Sequence, residues 1–159
     1  MLAALGVVLL YLGSLVEVLD ATVAVLASLL CVFAVIEYGK AAPWLVFAVT
    51  SVLAILLLPN KTPAIEYALF FGFYPILKEK YEKRRAPIAW VLKELTFNIA
   101  LVAVFFALKF VVLGNAVIPM YFYVIGLVLL ELVFVLYDLA LTKLITYYLC
   151  SLRKRFKIK

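Results

Sequence analysis

Residues Thr62–Arg85 read TPAIEYALFFGFYPILKEKYEKRR. The stretch opens on Thr-Pro, runs through an apolar block with Glu66 near its start, and ends in a dense charge cluster. Whether it crosses a membrane, packs inside a soluble domain or dips into a bilayer and returns decides the topology. Local signals predict a helix starting near Pro63. A proline at the first helical position loses an N–H that has no intrahelical partner there. Thr62 stands where an N-cap would, and Glu66 stands in the first turn, where the helix dipole favours an acid. Gly72 and Pro75 predict a kink in the second half. The block Ala64–Leu77 covers about 21 Å at the helical rise, short of the roughly 30 Å hydrocarbon core. It spans only if Pro63, Lys78 and the following turn extend it.

Composition restricts the setting. Of 159 residues, 69% are hydrophobic and 15% charged, and the mean hydropathy is +1.22. Soluble domains carry roughly 45–50% apolar and about 25% charged residues. So much apolar surface cannot be hidden inside a chain of this length. The expected class is all-α, a polytopic integral membrane bundle. The chain is expected to form a single transmembrane domain over residues 1–152, with a basic tail over 153–159.

Apolar runs and their punctuation predict six spans: Met1–Val16, Ala21–Ile36, Ala41–Asn60, the quoted stretch, Pro87–Leu113, and the run from Met120 to about Leu139. A helical extension is expected beyond Leu139. The net charge of +6 is gathered beside apolar runs. That pattern orients a protein in a bilayer and is no nucleic-acid footprint. Lys78, Lys80, Lys83, Arg84 and Arg85 form one cluster, and Arg153, Lys154, Arg155, Lys157 and Lys159 form the other. Six spans put both clusters and both termini in the cytoplasm, with EVLD (Glu17–Asp20) and NKTP (Asn60–Pro63) outside. Five spans plus a re-entrant hairpin at the quoted stretch are the alternative. Trp44 and Trp90 fall at the inner interface, Tyr121 and Tyr123 at the outer one. The N-terminal run lacks a basic leader and reads as a first span.

Several chemistries lack their residues. With no His in the chain, Ser-His and Cys-His dyads and the commonest transition-metal ligand are missing. Cys31 and Cys150 form no CxxC pair and read as small buried hydrophobes. No phosphate-loop motif is present, so ATP energy has to come from a partner. The expectation is a protein that is not an enzyme and carries no metal or cofactor.

Ionisable groups inside apolar helices are costly and are functional candidates by default. Glu131 lies about 18 Å along the last run, and Asp138 follows seven residues later on the same face. Gly126 allows a neighbour to approach. Glu94, Asn98 and Lys109 fall within about 60° of one another on the preceding helix. Asn98 reaches a depth comparable with Glu131 and Asp138, which predicts a hydrogen bond to one of them. Glu94, Asn98, Glu131 and Asp138 are therefore read as an intramembrane polar network. Lys109 either snorkels outward or pairs with Glu66, Glu17 or Asp20 at the same level. Asn60-Lys61-Thr62 fits a glycosylation pattern, which the following Pro63 makes an accidental match. The basic stretch KEKYEKRR is a solvated, topology-setting loop, or a docking surface for a partner or anionic lipid.

Six short apolar helices, both termini inside and no nucleotide motif together resemble the substrate-capture subunits (S-components) of energy-coupling factor transporters. The N-terminal LAALGVVLLYLGSLVEVLD looks like the start of such chains. LLLPNKTPAIEYALFFGFYPILKEKYEKR is similar to a segment of small bacterial membrane proteins near that group. The family's AxxxA docking motif is not matched: Ala3 and Ala4 are followed four residues later by Val7 and Val8. The resemblance implies an outward-opening pocket for a vitamin-like molecule, a membrane coupling subunit and ATPase subunits as partners. By depth, Glu66, Tyr67, Lys109, Asn115, Tyr121 and Tyr123 are the pocket candidates, with Glu131 as a deeper anchor. Rival readings are a structural or assembly subunit of a membrane complex, and a proton- or ion-coupled carrier using Glu131.

Overall fold

The structure, a computed structural model, describes all residues except Glu17, Val18, Lys40, 109–119 and 153–159; for 120–125 and 151–152 it describes the backbone alone. The described residues are helical, with no strand among them. The chain divides into two compact units, Met1–Gly114 and Asn115–Lys159.

The first unit contains α1 (Leu2–Ser14), α2 (Asp20–Tyr38), α3 (Ala42–Leu57), α4 (Thr62–Glu66), a π-helical turn (Tyr67–Phe71), α5 (Tyr74–Tyr81) and α6 (Ala86–Leu108). α2 is its hub and packs against α1, α3, α4, the π-turn and α5. Residue size explains why. Ala24, Ala27, Cys31 and Ala34 recur at three- and four-residue spacing and are all fully buried. Such a stripe lets neighbouring backbones come close where the hydrophobic effect cannot drive helices together. α1 answers with Gly6 against Thr50 of α3 and Gly13 against Val23 of α2.

The outside of this unit is the bulky apolar side. On α3, Leu45, Val49, Val52 and Leu56 are exposed, whereas Pro43, Thr50, Ser51 and Ala54 are buried. On α6, Val91, Leu95, Ile99, Val102 and Phe106 are exposed. A water-soluble domain puts its small polar residues outward and its large aliphatic residues inward. Two of the described helices, α2 with 19 residues and α6 with 23, are long and apolar enough to cross a membrane. α1 and α3 are apolar but shorter, at 13 and 16 residues.

The quoted stretch runs from one end of the unit to the other. It begins beside the N-terminus of α2, where Asn60 bonds Asp20, and ends beside the N-terminus of α3, where Lys80 lies over Trp44. Helix does start at Thr62, with Pro63 in its first turn. The cap differs from expectation: Thr62 is the first helical residue, and its backbone N–H donates to Asn60 Oδ1 at 3.0 Å. Glu66 consequently ends α4, past the first turn. The expected distortion is also present, though it starts earlier. An extra residue is accommodated as a π-turn closed by the Gly72 N–H to Tyr67 carbonyl bond at 2.7 Å, and α5 restarts at Tyr74 with Pro75 in its first turn. Gly72 is required by packing, since a Cβ there would fall 2.6 Å from the Phe47 ring. The helical course over 62–81 covers roughly 30 Å, longer than the apolar block alone suggests.

The second unit holds α7 (Met120–Tyr147), followed by a π-turn (Tyr148–Leu152). The helix continues through Leu139 without a break, as the expected extension requires. Thr142 Oγ1 donates to the Asp138 carbonyl at 2.9 Å and Thr146 Oγ1 to the Thr142 carbonyl at 2.8 Å, which satisfies both hydroxyls within their own helix. Cys31 is buried, as expected; Cys150 is exposed, contrary to expectation, because it lies in the terminal turn of a helix rather than on a packed face.

Candidate functional site

The first unit has two chemically distinct ends. At one, α2 begins, α3 finishes and α4 begins. Leu58 leaves α3 in an extended conformation before Pro59, which stops the helix. The Lys61 ammonium turns back and donates to the Ile55 and Leu58 carbonyls at 2.8 and 2.6 Å. Its charge is therefore used on the C-terminus of α3, where cations are favoured. Asn60 faces the other way. Its Nδ2 donates to Asp20 Oδ2 at 2.9 Å while its Oδ1 accepts from Thr62 N–H, so one amide joins the starts of α2 and α4.

Glu66 completes this group. Its Oε2 is buried without a hydrogen-bond partner, and it lies within electrostatic reach of Asp20. Two carboxylates and one carboxamide thus gather at the junction of α2 and α4. The α4 turn places Glu66 there because Thr62 to Glu66 is one helical step of four residues, which returns the side chain to the same face. The chemistry of such a group is that of a receptor for a cation: oxygen acceptors at short range, partly withdrawn from water, where an arriving positive charge gains more than it would in bulk solvent.

One π-turn further along, Tyr67 points into the bundle and is fully buried. Its hydroxyl lies 3.3 Å from Cys31 Sγ, and its ring packs near that of Phe47, with centroids 6.3 Å apart. Phe70 follows it into the interior against Tyr74 and Phe97, at 5.0 and 5.4 Å between centroids. Tyr67 thus belongs to the interior beneath the carboxylate group.

At the other end, the C-terminal turn of α5 meets the starts of α3 and α6. Lys78 is buried and pairs with Glu82 at 2.8 Å; Lys93 reaches the same carboxylate oxygen at 3.4 Å. Lys83 pairs with Glu79 at 2.5 Å. Tyr81 and Thr96 hydroxyls share a bond of 2.9 Å, which fastens α5 to α6. Lys80 and Lys93 lie over the rings of Trp44 and Trp90, at 5.8 and 5.2 Å from the centroids. The level at which sequence alone places both tryptophans, beside the basic loop, is the level at which they are found.

Of the residues singled out by sequence, Glu66 and Asp20 come together. Asn98 Nδ2 donates to the Glu94 carbonyl of its own helix at 3.1 Å. Glu131 and Asp138 lie on α7 in the second unit. Lys109, Asn115 and Glu17 lie outside the described residues, as does Lys40, and the side chains of Tyr121 and Tyr123 are not described. Asn60 is the residue that sequence reasoning passed over. Its signal is an Asn two positions before a Thr-Pro helix start, where an Asx side chain captures the first free N–H.

These features define an all-helical protein with an apolar exterior, two membrane-length helices and a carboxylate group at one end. No protein-family model matches the chain, and neither a curated protein nor a solved structure is similar to it.

Proposed function

We propose that this chain is a multi-pass membrane protein that captures a small cationic molecule at the Asp20–Asn60–Glu66 group, and that it serves as the substrate-binding subunit of an uptake transporter energised by a partner ATPase. In this reading the chain forms six spans with both termini cytoplasmic, and the carboxylate end faces outward. The aliphatic exterior of α3 and α6 supports residence in a bilayer. The end-to-end course of 62–81 supports a full span over a re-entrant hairpin.

The observation that carries the binding role is Glu66: a buried carboxylate oxygen without a hydrogen-bond partner, next to a second carboxylate. Such an arrangement lowers stability in the absence of a cation, and sites that do so are commonly kept for function. An ammonium or similar cationic group on a vitamin-sized molecule would satisfy the oxygen and offset the repulsion at once. The energy source is inferred from sequence, since the chain has no phosphate loop of its own.

The test is thermal unfolding of the purified protein in detergent, titrated with methylammonium, guanidinium and Mg2+ in turn. At least one of these cations should raise Tm in a saturable manner. Glu66→Gln should remove that response and should itself raise the Tm of the cation-free protein, because a buried charge is replaced by a neutral group of the same shape. No saturable response to any of the three would remove the binding role. Recovery from native membranes without an ATPase would remove the transporter role and leave the binding role standing.

A further inference from the structure

The basic end of the first unit has features that a topology signal does not require. Between Lys78 and Glu94 the chain carries six basic and three acidic residues. Local pairing engages Glu79 with Lys83, and Glu82 with both Lys78 and Lys93. Arg84 and Arg85 occupy the turn between α5 and α6, are exposed, and form no ion pair among the described residues. A guanidinium presents a planar fork of donors that matches phosphate oxygens, and it sheds hydration more readily than an ammonium.

The setting of these arginines determines the kind of phosphate. Trp44 and Trp90 are each exposed by about two-fifths and carry a lysine over the ring, which marks the level where apolar body and polar rim meet. One residue beyond each tryptophan the surface is aliphatic, at Leu45 and Val91, both 66% exposed. Charge therefore gives way to bare hydrocarbon surface within a single helical turn. A soluble phosphate fits the charged half of this surface and leaves the aliphatic half in water. A molecule with an anionic head and acyl chains fits both.

We infer that this end of the protein binds the headgroup of an anionic phospholipid, with Arg84 and Arg85 on the phosphate and Trp44 and Trp90 against the glycerol and the first methylenes of the chains. The inference rests on the membrane reading above and is independent of the carboxylate end. Its consequence is a lipid requirement: the α3, α5 and α6 ends are joined by side-chain contacts, so the headgroup would clamp the three helices together.

The experiment uses the full chain in phosphatidylcholine nanodiscs with increasing phosphatidylglycerol. Trp44 and Trp90 are the only tryptophans in the chain, so quenching of their fluorescence by brominated lipid reports on this end directly. Brominated phosphatidylglycerol is expected to enter the tryptophan shell about 30-fold in preference to brominated phosphatidylcholine, roughly fivefold per arginine. The double variant R84Q/R85Q should lower that preference below about threefold, with helicity by circular dichroism unchanged because both side chains are exposed. The wild-type preference should also shrink as salt rises toward about 1 M. Equal quenching by the two lipids, or a preference insensitive to salt, overturns the inference. Complete displacement by millimolar glycerol phosphate overturns it too, by making the surface a soluble-phosphate site. Insertion into pure phosphatidylcholine is scored separately. Failure to insert overturns the membrane reading and the inference together, whereas insertion without anionic preference overturns the inference alone.

Discussion

Replacing Asn60 by Ala tests whether one carboxamide holds the carboxylate end together. Two interactions are lost. The bond from Nδ2 to Asp20 Oδ2 at 2.9 Å is charge-assisted and contributes about 1.5–3 kcal/mol. The bond from Thr62 N–H to Oδ1 at 3.0 Å satisfies the first donor of α4, a helix-start contact worth about 0.5–1.5 kcal/mol. Pro63 supplies no N–H, so the next donor cannot take over. The combined loss is about 2–4 kcal/mol, which for a chain of this size lowers Tm by roughly 5–15 °C. The assay is reversible unfolding in mixed micelles of a mild detergent and dodecyl sulfate, followed by circular dichroism. A double-mutant cycle of Asn60→Ala with Asp20→Asn isolates the pair. The expected coupling energy is at least about 1 kcal/mol. A coupling below about 0.3 kcal/mol, within the additivity of unrelated sites, would refute the reasoning. Asn60→Asp sharpens it. That variant keeps the acceptor for Thr62 but sets a carboxylate against Asp20. Its deficit relative to the native protein should be largest at neutral pH and should shrink as pH falls and one of the pair takes up a proton.

Three further outcomes are expected. Gly13→Ala places a methyl group 2.6 Å from Val23 Cβ in backbone-to-backbone packing between α1 and α2, and should cost about 1–3 kcal/mol in the same unfolding assay. A maleimide probe should label Cys150 and leave Cys31 unreacted in the folded protein; labelling of both before unfolding would contradict the buried position of Cys31 beside Tyr67. Tyr67→Phe removes the hydroxyl that meets Cys31 Sγ while keeping the ring against Phe47, so its cost should stay near 1 kcal/mol, whereas Tyr67→Ala should cost about 3–5 kcal/mol by leaving a cavity.

The grouping of residues by depth was readable without coordinates. Counting 1.5 Å per residue from each loop puts Asp20 and Glu66 at one level and Trp44, Trp90 and the basic turn at the other, and the contacts fall at those levels. The angular positions were harder. In α1, α2 and α3 almost every residue is apolar, so hydropathy has no preferred direction around the helix. What chooses the buried face is size: Gly6 and Gly13, and the Ala24–Ala27–Cys31–Ala34 stripe, go inward because they let backbones approach.

The sequence by itself determined an all-helical, apolar chain, a helix start at Thr62-Pro63 and a distortion around Gly72, because proline, glycine and composition act locally. Tertiary structure decided what the stretch TPAIEYALFFGFYPILKEKYEKRR does. The π-turn rotates everything after Glu66, so Tyr67 and Phe70 point into the bundle and Lys78 is buried against Glu82. Asn60 acquires its role only because α2 begins beside it, forty positions earlier in the chain. A single amide that bonds forward to Thr62 and across to Asp20 leaves a local trace for the first bond and none for the second, since the second depends on which helices pack together.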